Sequence, residues 1–305
     1  MSNITIIGHL TIDLVRPPKL KDFFLMPGGP PFYSLFAIGS LEGAVTILSK
    51  VGGDYPKSFV KEMEGAGAKL LIEREAGAAT TKFVIEYFDG SRSLKLLASC
   101  GRLPIWKLEG LGRIECVQLS PVDWEISEDD AFKVLGKSEF SALDPQGFLR
   151  DAGRGGRIKG RRWLNARVLR HVDVFKCSME ELKAVTGILS PSRALARIAK
   201  LGPKLCIATS GRRGSILLEG KKAYQVPSFP SQKVVNPTGA GDVFIGGFLT
   251  KYLDEGDANW AASVGSALAS IRVEKLYMSE VRFNEREVME RAKFIHERIK
   301  LFNKL

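Results

Sequence analysis

The sequence predicts an α/β fold, a doubly wound and mostly parallel sheet carrying a small β lid. Short β-branched runs alternate with amphipathic stretches along almost the whole chain, the sequence form of repeated strand–helix–strand units. One stretch, Thr80 to Ser99, breaks that rhythm with two adjacent strand-like runs. The 305 residues, 45% of them hydrophobic, are enough to bury a full core.

Strands are expected at Ile4–Ile7, Ala44–Leu48, Val117–Leu119, Ala142–Asp144, Val172–Lys176 and Lys204–Thr209, each a short apolar run rich in β-branched residues or bounded by turn formers. Helices are expected over Pro31–Glu42, Asp54–Ala66, Glu128–Leu135, Met179–Thr186, Pro191–Leu201, Ala240–Leu253, Asn259–Val273 and Glu285–Phe302. Ser190 is placed to cap the fifth of these, with Pro191 in its first position and Gly202-Pro203 closing it. The runs Thr80–Phe88 and Ser93–Ser99 are joined by a turn opening with Asp89-Gly90, a hairpin dipeptide. With the extended segment Leu14–Met26 they are expected to form the lid, built from about 14–27 and 78–100 and inserted in one domain spanning 1–305.

Composition narrows the function classes. Cys100, Cys116, Cys177 and Cys206 form no C-x-x-C pair, and His9, His171 and His296 lie far apart, so neither a disulfide framework nor a built-in zinc site is expected. Any metal should arrive with substrate. The N-terminal apolar run is broken by Gly8, His9 and Asp13 and reads as a first strand, not a secretion signal, so a cytoplasmic protein without a membrane span is expected. The net charge of +11 is concentrated between Arg150 and Arg170, where glycines at 153, 155, 156 and 160 suggest a mobile loop. No aromatic stacking series or helix-turn-helix accompanies it, which favours a solvated loop that attracts an anionic substrate over a nucleic-acid surface.

The chemistry is concentrated in the string from Val234 to Leu249. Gly239, Ala240 and Gly241 leave the backbone unshielded where a helix begins, so unpaired N–H groups and the positive end of the helix dipole face one point, an anion site. Asp242 places a carboxylate beside it, where the hydroxyl of a phosphate acceptor would sit. A rival P-loop ending at Gly136-Lys137-Ser138 fails because its first glycine would be Ala131. No dinucleotide fingerprint or protein-kinase signature is present.

The string Thr238-Gly239-Ala240-Gly241-Asp242 resembles the signature of the ribokinase or PfkB family of small-molecule kinases, and similarity extends over nearly the full length. The resemblance implies a ribokinase-like fold, ATP and Mg²⁺ as cofactors, Asp242 as the catalytic residue and Gly239, Ala240 and Gly241 as its anion hole. It implies that Asp13 accepts hydrogen bonds from substrate hydroxyls and that Gly28 and Gly29 let substrate and lid approach the backbone. Phe32, Tyr33 and Ser34 stand where the family usually carries Asn. Thr209, Gly211, Gly214 and Thr238 fall beside the nucleotide. Ser178 and Glu181 match a segment that orders water around Mg²⁺, with Ser replacing the usual Asn. Asn236 replaces an Asp linked to monovalent-cation binding in many relatives. A homodimer through the lid is also implied.

The segments 89–97 and 144–150 look similar to the myo-inositol kinase branch, which makes a small polyol or sugar the expected acceptor. Asp13, Gln146 and Arg150 would supply the mixed donors and acceptors that several hydroxyls need. Arg150 could also bridge donor and acceptor phosphates. Another sugar, sugar-acid or nucleoside acceptor remains open at this point, as does a catalytically retired binding scaffold.

Overall fold

A computed structural model describes residues 2–88, 91–231 and 233–304. In chain order the elements are β1 (Asn3–Ile7), β2 (Thr11–Arg16), β3 (Phe24–Gly28), α1 (Pro30–Gly39), β4 (Ala44–Gly52), α2 (Lys57–Gly65), β5 (Lys69–Glu75), β6 (Lys82–Phe88), β7 (Ser91–Ala98), β8 (Ile114–Leu119), α3 (Glu128–Lys137) and β9 (Ser138–Leu143). There follow β10 (Arg150–Ala152), β11 (Ile158–Gly160), α4 (Ala166–Leu169), β12 (Val174–Ser178), α5 (Met179–Thr186), α6 (Pro191–Ala199), β13 (Leu205–Thr209), β14 (Ser215–Glu219), β15 (Lys222–Val226), α7 (Ala240–Glu255), α8 (Ala258–Arg272), α9 (Glu285–His296) and β16 (Lys300–Lys304).

Among the described residues the larger sheet has ten strands in the order β16-β15-β14-β13-β12-β9-β8-β1-β4-β5. From β13 to β5 every neighbouring pair is parallel, and β14, β15 and β16 close one edge as an antiparallel meander. The parallel strands are covered on both faces, which is why they read as continuous apolar runs. Along β1, Ile4 and Ile6 pack with α7, α8 and α9 on one face, while Ile7 packs with α3 to α6 on the other. The chain leaves β1 toward β4 and β5, then returns to build β8, β9, β12 and β13 on the other side. Strand order therefore reverses between β1 and β8, and in open α/β sheets ligands bind beyond the carboxyl ends of the strands at such a point.

The smaller sheet, β3-β2-β6-β7, is reached directly from β1. At the crossing, a Cβ on Gly8 would lie 2.4 Å from the Ser120 carbonyl oxygen, so glycine is needed there. The buried carboxylate of Glu125 accepts from the amides of His9, Val122 and Asp123 at 2.7 to 3.0 Å, tying the crossing to the loop after β8. The inner face of the small sheet buries Val15, Met26, Phe83 and Ile85.

Several expectations need correction. The helix expected over Glu285–Phe302 ends at His296, because the chain then extends alongside β15 and gains its edge hydrogen bonds as β16. The extended segment Leu14–Met26 does join the small sheet, through the end of β2 and the start of β3, which pair antiparallel, while β2 pairs with β6 in parallel. The basic stretch after Arg150 is not a loose loop. It forms the β10–β11 hairpin and then α4, with Lys95 of β7 bridging to Arg157. Strands β5, β14 and β15 went unnoticed in the sequence. The Asp89-Gly90 turn lies outside the described residues, while the β6 and β7 strands flanking it pair antiparallel.

Candidate active site

The site forms where α7 begins, beyond the carboxyl ends of the parallel strands. Gly239 turns the chain at φ +80°, and the ring of Tyr33 fills its open side so closely that a Cβ would stand 2.3 Å from ring carbons. The amides of Ala240 and Asp242 bond back to the carbonyls of Pro237 and Gly239 at 3.2 and 3.1 Å. Among the described residues, the amides of Gly239 and Gly241 have no acceptor. The bare donors of this helix start are thus those two, a narrower set than the sequence suggested. Helix α7 is held in place by Ser34, whose hydroxyl donates to the Asp242 carbonyl at 2.8 Å and accepts from Gln118 Nε2 at 2.8 Å. Gly246 and Gly247 allow close packing, since Cβ atoms there would meet Ser34 O at 2.9 Å and Leu268 Cδ1 at 2.4 Å.

A cation sits beside the open amides. Lys176, in β12, bonds through Nζ to Asp144 Oδ2 at 2.5 Å, with both side chains almost fully buried. The same Nζ lies 2.9 Å from where a Cβ on Gly241 would stand. Burial works against its charge, but Asp144, Asp242 and Glu181 hold the Lys176 ammonium above its usual range. Sequence reasoning missed this residue. The signal was a lysine inside a buried parallel strand, which demands a partner.

The charges of Asp242 and Glu181 reach that cation, and Arg150 acts in turn on both of them and on Asp13. Burial raises Asp242 to about 6, with Lys176 opposing and Asp144 reinforcing the shift. Asp13 is raised to about 7 by burial, against the Thr11 hydroxyl that donates to its Oδ1 at 2.8 Å and against Arg150, with Asp242 adding to the rise. Gly28 lies against this carboxylate, for a Cβ there would be 2.1 Å from Asp13 Oδ2, and Gly29 starts α1 at φ +89°. Arg150 donates to the Val122 carbonyl at 3.0 Å and to Gln146 Oε1. It lies with Glu181 on a cleft of about 530 Å³ between β7 and the β10–β11 hairpin.

The remaining candidates sit at the same strand ends in different settings. Ser178 and Glu181 form a reciprocal cap on α5, so Ser178 spends its hydroxyl on the Glu181 amide and Glu181 Oε2 accepts the Ser178 amide at 2.7 Å. Thr209 is paired with Ser178 across β12 and β13, and its hydroxyl reaches the Cys177 carbonyl at 3.4 Å. Gly211 is exposed in the turn before β14. Gly214 is required by packing, with φ +81° and a Cβ position 2.1 Å from the Val226 carbonyl. The Thr238 side chain is buried and shares a 3.1 Å hydrogen bond with Tyr87 of the small sheet. Asn236 accepts the Thr238 amide at 3.0 Å and donates to the Leu276 carbonyl at 2.9 Å, shaping the turn itself.

A nucleoside kinase of Methanocaldococcus jannaschii is 38% identical over 290 residues, covering 90% of this chain and 91% of that protein. The chain belongs to the pfkB, or ribokinase, family of carbohydrate and nucleoside kinases. The profile of pfkB family carbohydrate kinases matches residues 162–281, which include β12, the α7 start and the site lysine. A cytidine kinase of Thermococcus kodakarensis is 25% identical over 262 residues, covering 83% of this chain and 89% of the relative. A pyrophosphate-dependent kinase in the ribokinase family, solved with a pyrophosphate analog and myo-inositol, superposes with a TM-score of 0.80 at 22% identity, covering 94% of this chain and 99% of that one. At that identity it shows the shared fold. Within the ribokinase family ATP is the usual donor, while this neighbour takes pyrophosphate. No helix among the described residues is long and apolar enough to cross a membrane.

Gly239→Ala forces a side chain into positive φ and into the Tyr33 ring, and should cost about 2 kcal/mol or more in urea unfolding. Gly241→Ala meets the buried Lys176 ammonium and pushes it against its Asp144 partner, so it should cost about 1–3 kcal/mol in stability while kcat falls about tenfold or more. Because Asp242 and Asp13 ionise late, at about 6 and about 7, the active deprotonated forms are lost as pH falls through that range. The kcat/KM profile should show its acid limb there, above the usual carboxylate range near 4.

Proposed function

We propose that the protein is an ATP-dependent kinase that phosphorylates a hydroxyl of a small polyol or sugar, with myo-inositol as the best-matched acceptor. The observation that carries this reading is the meeting of a half-desolvated carboxylate, Asp242, with the open Gly239 and Gly241 amides and the Lys176 ammonium. A carboxylate beside a concentrated positive field is suited to an alcohol that attacks a phosphoryl group.

An alcohol with a pKa near that of water, about 15.7, is not ionised in advance by such a group. Asp242 orients the hydroxyl and takes its proton late, as the acceptor oxygen bonds to the γ-phosphorus and the bridging bond to ADP breaks. The open amides and Lys176 bear the charge of the transferring group. Asp13 and Gln146 hold the other hydroxyls of the acceptor, and Arg150 stands between them and the phosphates of the donor. Mg²⁺ accompanying the nucleotide would neutralise phosphate charge. Glu181, which faces the cleft with one oxygen committed to Ser178, would hold it through water. The small sheet acts as the lid, touching the catalytic turn through Tyr87 and Thr238 and excluding water from the transfer.

The polyol reading draws support from the polar acceptor side and from the myo-inositol named with the structural neighbour. A nucleoside acceptor is the second reading, favoured by the 38% identical nucleoside kinase. ADP release with MgATP over myo-inositol, ribose, fructose, 2-keto-3-deoxygluconate, adenosine and cytidine separates them. Turnover with myo-inositol, reduced by a factor of about 10² or more in Asp242→Asn, is expected. Turnover with adenosine or cytidine alone would select the second reading, and full activity in a folded Asp242→Asn variant would remove the role given to that residue.

A further inference from the structure

The small sheet presents more than a cover. Its inner face is apolar along Phe83, Ile85, Leu94 and Leu96, then changes character at the cross-strand pair Tyr87 and Arg92. Cross-strand partners share a face, so Arg92 projects from the side that carries Tyr87 to Thr238. It lines the same cleft as Arg150, Glu181, Arg157 and Lys159. Among the described residues, neither Arg92 nor Arg150, Arg157 or Lys159 lies within 4.0 Å of a carboxylate oxygen.

We propose that Arg92 is a second catalytic cation, delivered by β7 to the donor's phosphates opposite Lys176, so that turnover depends on the small sheet lying over the cleft. This deepens the kinase reading and rests on it. Arg92 and Arg150 share the cleft and repel one another: burial and Arg92 weaken the hold of Arg150 on its proton, and the more distant charges of Glu181, Asp144 and Asp242 oppose this. An anion between them removes that repulsion and gains planar, multiply donated hydrogen bonds. The field of Arg92 reaches the reacting groups, for it is one of the positive charges that offset burial at both Asp13 and Asp242. During transfer the acceptor oxygen forms its bond to the γ-phosphorus, the bridging bond breaks, the proton passes to Asp242, and the negative charge left on ADP falls to Arg92 and Arg150.

The test uses the full chain, with MgATP and the acceptor that turns over best in the panel above, and inorganic pyrophosphate as a base-free probe of the anion site. In Arg92→Ala, kcat is expected to fall about 30-fold or more with acceptor KM within about threefold, and pyrophosphate affinity to fall about tenfold. Arg92→Lys should regain the affinity but not the full rate, and added guanidinium should restore part of the Arg92→Ala turnover. Lys95→Ala, on the opposite face of the same strand, should behave as the parent protein. If Arg92→Ala keeps kcat and pyrophosphate affinity within about twofold while Asp242→Asn is inactive, Arg92 has no such role and the kinase reading stands. If Asp242→Asn itself keeps full turnover, the kinase geometry fails and the role of Arg92 fails with it.

Discussion

Helix α7 can present bare amides to a ligand only because the chain arrives through Gly239 at positive φ, pressed against the Tyr33 ring, and continues through Gly241 against the Lys176 ammonium. Neither contact tolerates a Cβ without displacement. Much of the remaining structure keeps that turn in place. Ser34 and Gln118 fasten the first turn of α7 to α1 and β8, Asn236 shapes the approach, and two further glycines let the helix lie against α1 and α8. The reversal of strand order between β1 and β8 then decides which strand ends face the turn, and so brings Asp13, Asp144 and Lys176 from distant parts of the sequence.

This concentration of charge is costly in the folded state. Burying Asp144, Lys176, Asp242 and Asp13 together removes water from groups that prefer it, and only mutual pairing and hydrogen bonds offset the loss. Among the described residues, Asp144 keeps one buried oxygen without a partner, and Asp13 and Asp242 ionise well above the ordinary carboxylate range. Such compromises cluster at sites where chemistry requires them. They also explain why acid and cation alternate around the cleft. Each carboxylate remains usable because a lysine or arginine stands near it, and each cation is left with capacity for an incoming anion.

Much of the fold was legible because its information is local. The apolar runs of β1, β4 and β13, helix α5 with its Ser178 cap and helix α6 with Pro191 in its first position carry their signals within a few residues, although the Ser190 side chain makes no cap hydrogen bond to α6. The C-terminal strand β16 was not legible, since its Lys300–Lys304 run becomes a strand only by adding to the edge of β15. The site divides in the same way. Gly239, Gly241 and Asp242 lie in one short string, so their juxtaposition at a helix start could be read in sequence. Lys176 and Arg92 gain meaning only from tertiary partners, Asp144 and Arg150, more than thirty residues away. Ser178 illustrates the opposite difficulty: a sequence match suggested a water-ordering group, while the local capping box with Glu181 claims its hydroxyl.

The most direct measurement is a crystal structure of the protein with ADP, aluminium fluoride and its acceptor, because the fluoride stands where the transferring phosphoryl group passes. The account predicts fluorides about 2.7–3.1 Å from the Gly241 amide and beside Lys176 Nζ, with the attacking hydroxyl in hydrogen-bond contact with Asp242. A complex with the fluoride bound away from the α7 start, or with the acceptor hydroxyl out of reach of Asp242, would contradict it.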